Sequence, residues 1–183
     1  MEKNNSMAQL FWGRVLIEEA SAMYYFEKGG KCRKIIHQIK YKGHPELARY
    51  LGNIYGTELS LMGKYANTDI LIPVPLHQSR QKQRGFNQSE WFARGLADSL
   101  GKTVMTGVLV RFLGSGTQTN KSRIERWENV KNNFRVKFPE RIENKHILLV
   151  DDIATTGATL ESCASVLLKN NGVKVSIITL AFA

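Results

Sequence analysis

Two adjacent carboxylates and the small, hydroxylated residues after them form the stretch of this sequence best suited to chemistry. Asp151 and Asp152 follow the apolar run 147–150, and the segment Ile-Ala-Thr-Thr-Gly-Ala-Thr occupies 153–159. An unbroken apolar run of this length is typical of a strand that is buried on both faces in a parallel sheet. We therefore expect the strand to end at the two carboxylates, at the edge of the sheet where such folds bind ligands.

The segment after the carboxylates is predicted to bind an anion. Apolar residues recur at helical spacing from Leu160 to Leu168, so free backbone N–H groups and the positive end of a helix dipole should lie just before them. Gly157 lets the backbone approach a ligand closely, and three threonines add hydroxyl donors. The predicted phosphate-binding residues are Ala154, Thr155, Thr156, Gly157, Ala158 and Thr159.

The carboxylates extend this prediction from a phosphate to a sugar phosphate. A pair of acceptors at a strand end can hold vicinal ribose hydroxyls, as an acidic residue does in dinucleotide-binding folds. Phosphate and sugar together indicate a ribose 5-phosphate, with Asp151 and Asp152 as the catalytic candidates. Two other interpretations stay open: Thr155 or Thr156 is only a helix N-cap, or the carboxylates are a metal or phospho-acceptor pair. In receiver domains such a pair opens the chain, whereas here a single strand follows it, at 173–181.

A second candidate segment is basic and follows another buried strand. Residues 69–75 are largely apolar and end at two prolines, and residues 76–86 are predicted to form a loop. At the carboxyl end of a strand, basic side chains could neutralise a pyrophosphate group. An ordinary basic surface loop is the alternative. The candidate residues are Leu76, His77, Arg80 and Arg84.

Periodicity and end signals predict the elements that would position these residues. Residues 28–42 carry six lysines and arginines and no acid, which indicates a helix whose outer face is either solvated or a nucleic-acid patch. Residues 114–133 are polar, as a lid or mobile loop inside a compact domain would be. Further helices are predicted at 45–62 and 87–100, and short strands at 102–105, 108–112 and 134–138.

Composition limits the class of protein. A chain of 183 residues fits one compact domain, and its net charge of +10 favours a polyanionic partner such as nucleic acid, a membrane surface or a pyrophosphorylated substrate. No apolar run approaches the roughly 20 residues of a membrane span, so no membrane insertion is expected. Cys32 and Cys163 lie far apart and are interpreted as reduced thiols of a cytoplasmic protein.

The Asp151 segment resembles the phosphoribosyl pyrophosphate (PRPP) signature of type I phosphoribosyltransferases. The resemblance implies an α/β, Rossmann-like fold with a mostly parallel central sheet, flanking helices and a flexible hood. It also implies that the acidic pair holds the ribose 2′ and 3′ hydroxyls, that the following loop holds the 5′-phosphate, and that Mg²⁺ arrives with PRPP. In position, residues 76–84 resemble the family's pyrophosphate loop and residues 114–133 its hood, with Gln118 and Arg126 as hood candidates.

Several blocks in one order narrow the resemblance to the ComF family of competence-associated proteins. They are Ile-Lys-Tyr-Lys-Gly at 39–43, Ile-Pro-Val-Pro-Leu at 72–76, Arg-Gly-Phe-Asn-Gln at 84–88, the spacing of Gln118, Arg126, Asn129 and Phe134, and the Asp151 signature. ComF proteins usually begin with a four-cysteine zinc module, but no cysteine pair precedes residue 32 here, so zinc is not expected. Residues 1–44 are expected to be a helical, basic segment packed on a phosphoribosyltransferase-like domain at 45–183.

The resemblance leaves two functions to distinguish. In one, the protein binds PRPP or another ribose 5-phosphate ligand and transfers the phosphoribosyl group to an acceptor that the sequence does not identify. In the other, it is a non-catalytic competence factor that keeps the pocket and binds single-stranded DNA or protein through basic surfaces at 28–42 and 121–137. The resemblance to ComF proteins implies a role in DNA uptake beside a helicase and a recombination mediator.

Overall fold

A parallel five-stranded sheet lies at the centre of the computed structural model, which describes residues 6–25, 31–112 and 133–183. Its strands are β1 (Ala20–Tyr25), β2 (Ile70–Pro73), β3 (Thr103–Val104), β6 (His146–Ala154) and β7 (Lys174–Phe182), in the order β1-β7-β6-β2-β3. Two further strands, β4 (Leu109–Arg111) and β5 (Phe134–Val136), form an antiparallel pair. The helices are α1 (Ser6–Gln9), α2 (Lys31–Tyr41), α3 (Pro45–Leu61), α4 (Gln78–Arg84), α5 (Gln88–Leu100) and α6 (Ala158–Leu167).

Apolar residues on both faces of the central strands bury the sheet between two layers. Successive side chains of a strand point to opposite faces, so Leu148 packs with α3 and α5 while Leu149 packs with α1 and α6. Both residues are fully buried. The unbroken apolar run thus forms a strand that is covered on both faces, as predicted. The predicted mostly parallel sheet with flanking helices is also confirmed.

The connections reverse direction between β2 and β6. From β2 the chain passes through α5 to β3 at one edge, whereas from β6 it passes through α6 to β7 on the other side. Pairing of β2 with β6 ends at Pro73 and Val150, so the last residues of β6 project beyond their neighbour. Open α/β sheets bind ligands in the crevice at such a switch point. The fold thus brings Asp151 and Asp152 to the place where a ligand is expected.

Glycines let α3 and α5 approach each other at backbone distance. A Cβ on Gly52 would overlap the carbonyl oxygen of Phe92, and one on Gly95 would overlap the carbonyl oxygen of Arg49. Leu96 and Phe92 are fully buried beside this crossing. The close contact fixes α5, and with it the helix N-terminus that faces the carboxyl end of β6.

Three predictions of local structure were wrong. Ala20–Tyr25, placed in a helical segment, is an edge strand paired with β7; most of its residues are only half-buried, which left no clear period. β6 continues past the two carboxylates to Ala154, because β7 pairs with it up to Phe182. The predicted loop at 76–86 contains helix α4, which buries none of its side chains and so shows no apolar stripe.

The predicted hood, including Gln118 and Arg126, lies outside the described residues. The division of the chain at residue 44 stays a prediction, although β1 belongs to the same sheet as the strands of the predicted main domain. No helix in the described ranges is long and apolar enough to cross a bilayer.

Candidate active site

Asp151 is a buried carboxylate beside the N-terminus of α5. Its Oδ1 accepts hydrogen bonds from the Ser89 hydroxyl and from the Asp152 backbone N–H, both at 2.8 Å. Burial, and then the neighbouring Asp152 charge, raise the pKa of Asp151 to about 7, against the opposing effects of these donors and of Lys40. A carboxyl group that titrates near neutrality at the end of a strand is a candidate functional group.

Asp152 is held by a residue that sequence analysis placed on a solvated or DNA-binding face. The Lys40 ammonium lies 2.7 Å from Asp152 Oδ2, and the two side chains are only 17% and 14% exposed. Lys40 is one helical turn beyond the buried Ile36 of α2, and residues four apart share a helix face. That spacing was the available signal that Lys40 faces the protein rather than solvent.

The end of β6 and the segment after it line an open pocket. Gly157 has φ of 73° and caps α6, whose first-turn amides have no acceptor within the helix. Within the described residues, the hydroxyls of Thr155 and Thr159 make no hydrogen bond, and Thr156 Oγ1 only approaches the Ala158 amide, at 3.4 Å. The lining residues are Asp151, Ile153, Leu160 and the six predicted phosphate-binding residues Ala154, Thr155, Thr156, Gly157, Ala158 and Thr159.

The N-terminal segment contacts this loop, and sequence analysis did not predict these contacts. Arg14 donates to the carbonyl oxygen of Thr156 at 2.9 Å and forms an ion pair with Glu161 of α6 at 2.5 Å. Phe11 is buried, and its ring would lie 3.3 Å from a Cβ on Gly157. The loop is therefore held from outside by contacts made more than 140 residues earlier in the chain.

The predicted pyrophosphate-binding residues lie on and before α4 and do not line that pocket. His77 caps α4 by accepting from the Ser79 amide at 3.2 Å, Leu76 is half-buried, and Arg80 is exposed. The Arg84 guanidinium lies over the Tyr41 ring, 5.1 Å from its centroid. Their role in binding stays a prediction.

Some buried polar side-chain atoms have no hydrogen-bond partner. Among the described residues, the buried side-chain atoms without a hydrogen-bond partner are Arg84 Nε and both amide atoms of Gln88. Gln88 is the first residue of α5, next to Ser89, and it is 1% exposed. Buried polar groups are almost always paired, so these orphaned atoms need an explanation such as a ligand.

The described residues contain no cluster of three or more histidine, cysteine or acidic side chains that could hold a metal ion by themselves. Asp151 and Asp152 would supply two carboxylates, and Mg²⁺ is commonly held by one or two carboxylates together with substrate phosphates. The donor set therefore fits a magnesium ion that enters with a phosphorylated ligand. Cys163 is buried and Cys32 half-buried, and neither thiol is in a disulfide.

Comparison with known proteins identifies the fold family. The sequence model of the Phosphoribosyl transferase domain matches residues 86–183, more than half of the chain. The chain belongs to this family. The match includes both Ser89 and the whole segment from Asp151 to Leu160, so the pocket lies in the part of the chain that the family shares.

Relatives confirm the expected likeness to ComF proteins. The chain is 32% identical over 146 residues to the DNA utilization protein YhgH of Salmonella typhi, covering 78% of this chain and 63% of that protein. It is 31% identical over 173 residues to the competence protein ComFC of Bacillus subtilis, covering 91% and 65%. The chain thus spans less than two thirds of the length of these relatives.

A solved structure agrees with the fold. Glutamine PRPP amidotransferase from B. subtilis superimposes with a TM-score of 0.51 at 20% identity, covering 77% of this chain and 30% of that one. At this identity the likeness concerns the fold alone.

Proposed function

We propose that the chain binds PRPP, or a related ribose 5-phosphate ligand, in the crevice at the carboxyl ends of β2 and β6. The observation that carries the proposal is the single pocket wall formed by Asp151 and the loop 153–160. It offers free amides and hydroxyls for a phosphate, next to carboxylates that accept hydrogen bonds from ribose hydroxyls.

In this proposal each part of the ligand meets a different element. The 5′-phosphate lies on residues 154–159 at the N-terminus of α6, and the ribose 2′ and 3′ hydroxyls donate to Asp151 and Asp152. The pyrophosphate points across the crevice toward α4, where His77, Arg80 and Arg84 supply positive charge or donors. Mg²⁺ bound with PRPP would neutralise charge on the pyrophosphate.

The proposed reaction is transfer of the phosphoribosyl group to an acceptor. The bond between C1 and the pyrophosphate oxygen breaks, and pyrophosphate leaves with the electron pair. The oxocarbenium-like sugar then bonds at C1 to a lone pair of the acceptor, which releases its proton to solvent. Carboxylates beneath the ring stabilise the positive charge that develops there, and basic groups of α4 stabilise the departing anion. The acceptor is to be found by screening.

The names of the relatives extend the proposal to a cellular role. The names competence protein ComFC and DNA utilization protein YhgH suggest a role in handling incoming DNA. We place this chain in the cytoplasm beside single-stranded DNA, a competence helicase and recombination proteins.

Turnover is tested by measuring pyrophosphate release from PRPP and Mg²⁺ with a panel of bases, amines and ammonia. Release above background with one acceptor, abolished in an Asp151→Ala, Asp152→Ala double variant, is the expected result. Binding of PRPP without release with any acceptor would contradict the transfer step and leave a PRPP-binding protein.

A basic and aromatic surface favours a second candidate function, binding of single-stranded DNA. Arg135, exposed on β5, lies over the Phe112 ring at 5.4 Å, and Lys137 lies over the Phe138 ring at 5.1 Å. The guanidinium of exposed Arg141 also lies over the Phe138 ring, 6.0 Å from its centroid. Grooves that hold single-stranded DNA combine cationic side chains with aromatic rings in this way.

The DNA-binding function is tested by fluorescence anisotropy with a labelled oligonucleotide over a salt series. An Arg135→Ser, Lys137→Ser variant should weaken binding. The slope of log affinity against log salt concentration should become shallower by about one to two. The matched control, Lys169→Ser, Lys174→Ser, removes the same charge at two exposed lysines that make none of these ring contacts and should have little effect. Equal losses in both variants would show only a non-specific charge effect.

A further inference from the structure

Lys40 pairs with a carboxylate oxygen that a ribose hydroxyl could otherwise use. Its ammonium lies 2.7 Å from Asp152 Oδ2, and Asp152 does not line the pocket that Asp151 shares with the phosphate loop. A hydroxyl donor to Oδ2 competes with the ammonium for this oxygen and binds it best when the ammonium moves away. A side chain from another helix, α2, therefore competes with a ligand for this carboxylate.

The same end of α2 also touches the helix that follows β2. Tyr41 is next to Lys40, and the Arg84 guanidinium lies over its ring. Arg84 Nη2 also donates to the Tyr41 hydroxyl oxygen at 3.5 Å. α2 therefore bridges the acidic pair and α4 across the mouth of the crevice. Lys40 is thus linked to both proposed parts of the site, to the acidic pair directly and to the basic helix through its neighbour Tyr41.

Displacing the Lys40 ammonium from Asp152 has different consequences for sugar phosphates with and without an anionic group at C1. With no anion at C1, a ligand breaks the ion pair and leaves the ammonium without a partner in a mostly buried position, which is unfavourable. With an anionic group at C1, the ammonium can turn on its flexible four-carbon stem and pair with the ligand. The ion pair thus penalises the first kind of ligand and not the second.

We propose that Lys40 is a specificity-determining residue, which holds Asp152 in the free protein and moves to the anionic group at C1 when a pyrophosphorylated sugar binds. The inference rests on the proposed binding of a ribose 5-phosphate ligand in this crevice. It adds a criterion for selection: the site distinguishes PRPP from ribose 5-phosphate through a competing contact, in addition to attraction by the basic groups of α4.

The test compares the affinities of PRPP and ribose 5-phosphate for wild type and a Lys40→Met variant, by calorimetry with Mg²⁺ at pH 8.5. The matched control is Lys42→Met, which removes the same charge from an exposed residue just beyond the same helix. Lys40→Gln is measured alongside, because its amide still donates to Asp152 and supports the folded state if methionine does not. Thermal melting checks that each variant is folded.

The expected result is a loss of preference in the Lys40 variants. Their ratio of PRPP affinity to ribose 5-phosphate affinity should fall at least about tenfold, which corresponds to about 1.4 kcal/mol, and ribose 5-phosphate should bind as tightly as to wild type or tighter. The ratio in Lys42→Met should stay at the wild-type value.

Two outcomes would overturn the inference, and they are distinguishable. Wild-type binding of both ligands, with the same ratio in Lys40→Met and Lys42→Met, would leave the pocket assignment intact and remove the role of Lys40. Failure of wild type to bind either ligand would overturn the proposed function itself and the inference with it.

Discussion

At the scale of single residues, Asp151 is held in an environment that opposes its charge. The carboxyl group is buried beside the Asp152 charge, and its pKa is raised to about 7 in spite of two hydrogen bonds and the nearby Lys40 charge. A group with a raised pKa stabilises the fold while protonated and costs stability once ionised. Functional sites commonly retain such unfavourable groups because the reaction needs them.

The pH dependence of stability should follow from this residue. The unfolded chain releases the proton near pH 3.8 and the folded protein near pH 7, so the unfolding free energy should fall as pH rises between these values, by up to about 4 kcal/mol. Asp151→Asn should remove most of this slope and be more stable than wild type at pH 8 by about 2 kcal/mol. Urea denaturation from pH 5 to 8.5 measures both effects.

The control for this prediction is Asp98→Asn, a carboxylate that is exposed and paired with Arg49. It should keep the wild-type slope. An Asp151→Asn variant with an unchanged slope would show that another group causes the pH dependence.

Residue spacing predicted the acidic pair and the phosphate loop because both lie in one contiguous segment. It did not predict Ser89 and Lys40 as their partners, since Ser89 is 62 residues from Asp151 and Lys40 is more than 100 residues from Asp152. Arg14, likewise, is 142 residues from Thr156, to which it donates. Contacts of this kind depend on how the helices pack, and one sequence carries no direct signal of them.

At the scale of elements, the crossing of α3 and α5 positions the donor side of the site. The N-terminus of α5 carries Ser89, which donates to Asp151, and Asn87, which donates to the Val74 carbonyl oxygen at 3.0 Å. Because the two helices meet at Gly52 and Gly95 with no room for a side chain, a shift of α5 would move these donors.

Gly95→Ala should destabilise the fold, because its Cβ would overlap the Arg49 carbonyl oxygen. Overpacking typically costs about 1–3 kcal/mol and alanine recovers about 1 kcal/mol in helix propensity, so we expect a net loss of up to about 2 kcal/mol in urea denaturation. Ser60→Ala, at an exposed position of α3, is the control and should change stability by less than about 0.5 kcal/mol. A stabilised Gly95→Ala variant would contradict the close crossing.

Elements were predictable from sequence where burial imposes a period. α3 and α5 were expected at 45–62 and 87–100 and are found at Pro45–Leu61 and Gln88–Leu100, because each buries an apolar stripe. α4 has no such stripe and depends on the His77 cap and on Gly85 in the left-handed conformation. Composition alone therefore indicated a loop there.

At the scale of the whole molecule, the order of strands concentrates the candidate groups at one edge. The reversal between β2 and β6 opens a crevice there, and α5, α6 and the end of α2 all reach it. The fold class was predictable from buried strands alternating with helices, together with the resemblance to phosphoribosyltransferases. The place of β1 in the sheet was not, because an edge strand with half-buried residues shows neither helical nor strand periodicity.

The net charge of +10 has more than one use in this molecule. Lys40 neutralises Asp152 inside the site, whereas Arg135 and Lys137 lie on an exposed aromatic surface. Charge in the crevice favours a pyrophosphorylated ligand, and charge on the surface favours a nucleic acid. The two proposed functions are therefore separable by variants at different positions.

The most direct test of the account is a calorimetric titration of PRPP with Mg²⁺ into wild type and an Asp151→Ala, Asp152→Ala variant, with folding of both checked by thermal melting. We expect one PRPP per chain for wild type and a loss of at least about a hundredfold in the variant, since two charged acceptors are removed. No binding to folded wild type, or equal binding to both proteins, would contradict the assignment of this crevice as the ligand site.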